Sequence, residues 1–64
     1  MERDHIMRWF VFEHLPAHLQ EVSRPFCELA EHIHGTLPRC AERTVSLRKV
    51  LEAKDAAVRA KLSE

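Results

Sequence analysis

The chain has one glycine in 64 residues, two cysteines, no net charge and no long apolar run. Each shortage closes a class of function. Gly35 alone cannot build a glycine-rich phosphate loop or a dinucleotide fingerprint. Cys27 and Cys40 allow at most one bridge within the chain. The opening MERDHIMR is charged and no apolar stretch reaches membrane-spanning length, so the expectation is a reducing cytoplasm with both thiols free. Ten basic residues balance ten acidic ones, which argues against a protein that tracks DNA or RNA. A compact anion stays admissible, because a pocket needs only a few cations locally. At this length a single core is barely sufficient, and without a disulfide set or a metal pattern self-association is the remaining route to stability.

What is there reads as helix. Leu15, Leu19, Val22, Phe26, Leu29 and Ile33 recur at helical spacing, and Gly35-Thr36-Leu37-Pro38 reads as a C-cap glycine, a turn and a proline stop. Pro16 suits a first helical turn. Pro25 either kinks this helix or ends it, with Ser23 capping a second one; the unbroken phase of the stripe favours a kink. From Cys40 to Leu62 there is no glycine or proline, and Ala, Leu, Glu, Lys and Arg dominate. The expected fold is all-α: an arm over 1–14, helix one over 15–35, a turn over 36–39 and helix two over 40–62. On helix two, Leu47, Leu51, Val58 and Leu62 form one stripe, and Val50, Ala53, Ala57 and Ala60 widen it beyond what one partner helix covers. That excess predicts a homo-oligomer.

The arm carries Trp9, Phe10, Val11 and Phe12 in a row. No single helix or strand face buries four consecutive side chains, so some of them are expected to meet another subunit or a ligand. Arg8 and Arg24 flank these aromatics, a combination that suits base stacking with phosphate pairing; an aromatic staple into the core explains the rings equally well. Arg39, Arg43, Arg48 and Lys49 gather where helix two begins, against the sign of its dipole, and so suggest a compensating anion; a solvated face, partly offset by Glu42, is the plain alternative. Lys54 and Lys61 project near the middle of the leucine stripe. Either they snorkel, or they line a cavity that holds an anion.

Five histidines raise the question of a metal, yet no zinc-ligand spacing is present, and no metal or cofactor is expected. A cysteine–histidine nucleophile pair would need a cleft and oxyanion donors that a short hairpin does not offer, so no enzyme activity is expected.

Two segments carry a resemblance: Phe12-Glu13-His14-Leu15-Pro16, and Glu42-Arg43-Thr44-Val45-Ser46-Leu47-Arg48-Lys49-Val50-Leu51-Glu52-Ala53. Together with the helix between them they resemble phage-encoded hairpin proteins, the anti-CBASS and anti-Thoeris sponges that sequester cyclic oligonucleotide signals of bacterial immunity. The resemblance implies interlocked dimers that assemble into hexamers. It implies binding of cyclic dinucleotides, cyclic trinucleotides or cyclic ADP-ribose isomers without cleavage, and so a block on the host's defence. The family's base-stacking aromatic falls on Phe12, with Glu13 beside it, and its basic residue at the opening of helix two falls on Arg43. A phosphate-binding lysine of the family falls near Cys27, a departure for which Arg24 is the expected substitute; Lys54, Asp55 and Arg59 stand where relatives are apolar or aromatic. The resulting expectation is that Phe10 and Phe12 stack on bases, that Arg24, Arg43 and Arg8 pair with phosphates, and that Glu13 lines the site. The rivals are a protein-docking arm centred on Trp9 and a pure oligomerisation hairpin, neither with a small ligand.

Overall fold

The computed structural model describes residues 5–63 and is all-helical, as expected. A 3-10 helix, η1 (His5–Phe10), precedes two long helices, α1 (Ala17–Thr36) and α2 (Ala41–Leu62), which pack as an antiparallel hairpin. Their lengths make a rod of 37 × 19 × 16 Å. The N-terminal arm is docked on the hairpin, because η1 packs against both long helices.

Helix α1 runs unbroken through Pro25, so Ser23 lies inside it and caps nothing. Pro16 stands just before the first helical residue, and its carbonyl accepts from the Leu19 and Gln20 N–H groups at 2.9 and 3.0 Å. The expected C-cap at Gly35 is corrected. Gly35 remains helical, with no positive φ, and the helix ends one residue later. The stop comes from Pro38, which disfavours the helical region for the residue before it. Leu37 accordingly turns extended (φ −104°, ψ 145°), while its N–H still closes onto the Ile33 carbonyl at 3.1 Å. Thr36 Oγ1 donates to the His32 carbonyl at 2.7 Å and satisfies one more terminal acceptor.

Helix α2 begins after Cys40, in extended backbone; Glu42 in its first turn and Arg59 and Lys61 in its last suit the helix dipole, while Arg43, also in the first turn, opposes it. Among the described residues no disulfide is formed, and no helix is long and apolar enough to cross a membrane.

The core is small: Met7, Phe10, Ala30 and Leu47, with Ile6, Cys27, Ile33, Val50 and Leu51 packed around it. In η1 the three-residue turn puts Met7 and Phe10 on one face, which explains why this pair goes inward while Arg8 and Trp9 do not. Along α1 the buried residues are Leu19, Ser23 and Ala30; Leu15, Val22, Phe26 and Ile33 of the large-residue stripe are half-buried, and Leu29 is left exposed. Trp9, Val11, Leu29, Leu37, Val45 and Leu62 all stay exposed.

Candidate ligand-binding site around Trp9

The site is built from the outer face of η1 and the flank of α2. Trp9 is 54% exposed although it lies next to Phe10 in the core. The Arg8 guanidinium carbon sits 4.8 Å from the centroid of the indole, a cation–π contact that holds the ring's plane. Beneath it, Lys54 Nζ donates to the Trp9 carbonyl at 2.5 Å and lies 5.8 Å from the Phe10 ring centroid. Its side chain is only 13% exposed, and Asp55 stands 3.6 Å away. Lys54 therefore pins the end of η1 to α2.

Two hollows meet at the indole. The first, about 340 Å³, lies toward the turn and is lined by His5, Ile6, Arg39, Thr44, Arg48 and Leu51 together with Trp9. The second, about 440 Å³, lies toward the open end; Arg8, Lys54, Arg59 and Asp55 supply its charges, and Ser23, His14 and Val58 complete much of the wall. Both volumes fall in the range that small organic ligands occupy. An exposed aromatic ring between two cationic hollows can stack a flat base while anionic groups are held on either side.

The residues expected from the sequence are spread more widely. Arg8 belongs to the indole site. Phe10 is 1% exposed in the core, so its ring offers no open face in this fold. Phe12 and Arg24 come together as a separate pair, with the Arg24 guanidinium carbon 5.4 Å from the ring centroid. Glu13 is used locally: its Oε2 accepts the Phe12 N–H at 3.2 Å, and its carbonyl accepts from Gln20 Nε2, also at 3.2 Å. Glu13 also lines a third hollow of about 420 Å³, against α1, with Met7, Arg8, Cys27 and Glu31. Arg43 is 7% exposed, and one of its terminal nitrogens donates to the carbonyls of His34 and Leu37, each at 3.1 Å. It caps the end of α1 from α2 and staples the turn. A phosphate would have to compete with that cap.

Trp9 and Arg59 were not among the expected ligand residues, and Arg48 was expected only as part of the cationic cluster at the start of helix two. The signal for the first was the Arg8–Trp9 adjacency. Lys54 borders an open hollow with its ammonium group on the Trp9 carbonyl, whereas Lys61 is half-buried and outside that lining. Among the described residues no group of three His, Cys, Asp or Glu side chains is placed to hold a metal ion.

The geometry of this site carries the functional argument, since no family model, curated protein or solved structure matches the chain.

Proposed function

We propose that this chain is a phage-encoded sponge: a homo-oligomeric hairpin that binds a cyclic oligonucleotide immune signal in the bacterial cytoplasm and withholds it without cleavage. The observation that carries the reading is the half-exposed Trp9, stacked by Arg8 and bordered by Arg39 and Arg48 on one side and Lys54 and Arg59 on the other. A nucleobase stacked on an aromatic side chain contributes about 1–3 kcal/mol. Charge-assisted bonds from arginine to phosphate then supply orientation and further affinity. Sequestration asks for nothing more, because a tight complex needs only preorganised surfaces and no reacting group.

The Phe12–Arg24 pair is a second aromatic–arginine surface, and it lies where the resemblance to the sponges places the base-stacking ring. The small core and the exposed Leu29, Leu37, Val45 and Leu62 support assembly with further copies, in the resemblance's terms a hexamer of interlocked dimers. One observation favours a second reading, docking on a host protein: Trp9 and Val11 are both exposed apolar side chains that border the same hollow.

Native mass spectrometry of the protein with cyclic dinucleotides, cyclic trinucleotides and cyclic ADP-ribose isomers separates the two. The sponge predicts an oligomer that retains one class of intact ligand at fixed stoichiometry, with affinity that falls steeply as salt rises. An oligomer that ignores the whole panel supports protein docking instead, and a folded monomer removes the assembly.

A further inference from the structure

Ser23 is an anomaly. It sits in the middle of α1, fully buried, and its hydroxyl has no hydrogen-bond partner. Buried polar atoms are nearly always paired, and a serine inside a helix ordinarily has the carbonyl four residues back within reach. An alanine at this place would fill nearly the same volume without leaving a hydroxyl unpaired. Yet this serine forms part of the wall of the 440 Å³ hollow beside Trp9, among three cations opposed by the single carboxylate of Asp55. Lys54 is already held by the Trp9 carbonyl and Asp55, so it contributes fixed charge at the inner wall. Arg59 stands exposed at the mouth, on the last turns of α2.

We infer that this hollow is the seat of one phosphoryl-type oxyanion, with Arg59 and Lys54 supplying charge and the Ser23 hydroxyl donating from the wall. The inference deepens the proposed function, and rests on it only for the source of the anion: a phosphate of the bound nucleotide rather than free phosphate. An oxyanion there gives the orphaned hydroxyl an acceptor and offsets the excess positive charge. The neighbouring indole then receives the base attached to that phosphate.

The test uses the full chain, with pyrophosphate as the probe, followed by amide and indole NMR shifts at ionic strength matched with sodium chloride. Saturable shifts are expected around Ser23, Lys54, Arg59 and Trp9. Ser23→Ala should weaken pyrophosphate roughly tenfold, as loss of one hydrogen bond to a charged group does, while thermal stability stays level or rises. That opposition of affinity and stability is what a merely structural serine would not give. Arg59→Gln, on an exposed helix face, should weaken binding without unfolding and serves as the second variant. Shifts no larger than those from sodium chloride, or unchanged affinity in both variants, overturn the seat. Pyrophosphate binding with no nucleotide retained from the panel supports the seat and defeats the sponge. Nucleotide binding indifferent to Ser23 and Arg59 does the reverse.

Discussion

The two sides of η1 enclose hollows of similar size but opposite character. Against α2, Trp9 is bordered by Arg39, Arg48, Lys54 and Arg59. Against α1, the 420 Å³ hollow has Glu13 and Glu31 with Arg8 and Cys27. Volume alone does not distinguish them. Charge does: cations predominate on the first side and carboxylates on the second. A second contrast runs along α2 itself. Arg43 and Lys54 are both largely buried cations that donate to backbone carbonyls, but Arg43 bridges the end of α1 and the turn, whereas Lys54 stands beside an open hollow. The first has the geometry of a cap and the second that of a wall.

The largest expected effect breaks the second contrast. Arg43→Ala removes two charge-assisted bonds at the turn and should cost about 2–3 kcal/mol. In a domain this small that lowers Tm by roughly 10 °C or more, measurable by circular dichroism. Unchanged stability with lost ligand binding would return Arg43 to the role that the resemblance implies. Next comes Trp9→Ala, which should weaken the retained cyclic nucleotide by about ten- to a hundredfold, the worth of one stacked base. Because the ring is half outside the fold, Tm should move little; a collapse of the fold would make Trp9 structural. A smaller effect, a few-fold, is expected for Phe12→Ala if the α2 side dominates, and a larger loss there than at Trp9 would shift the site toward Arg24. Smallest of all is Glu13→Gln on the acidic side, which keeps an acceptor for the Phe12 N–H. Isothermal titration should show affinity unchanged or slightly raised.

Much of the fold was legible. The uninterrupted run from Cys40 to Leu62 became Ala41–Leu62, and the stripe that kept its phase across Pro25 became one helix. What escaped was decided by long-range packing. Helical spacing marks an apolar stripe but not its edges, so Ser23 and Ala30 are buried while Leu29 is exposed. Gly35 was expected to end the helix by its conformational freedom, yet the proline three residues on acted first. Among four consecutive apolar residues, the sequence does not announce the 3-10 turn that pairs Phe10 with Met7 and leaves Trp9 out. That choice follows from η1 docking across α1 and α2. The same docking gathers Arg48, Lys54 and Arg59, which lie on different turns of α2, around one ring.

Trp9 is the only tryptophan in the chain, so its emission reports on the site without a label. The most direct test titrates the protein with the cyclic oligonucleotide that native mass spectrometry finds retained, recording Trp9 fluorescence and binding heat together. The account predicts saturable quenching that follows the heat and disappears in high salt. Binding heat with Trp9 emission unchanged would contradict it.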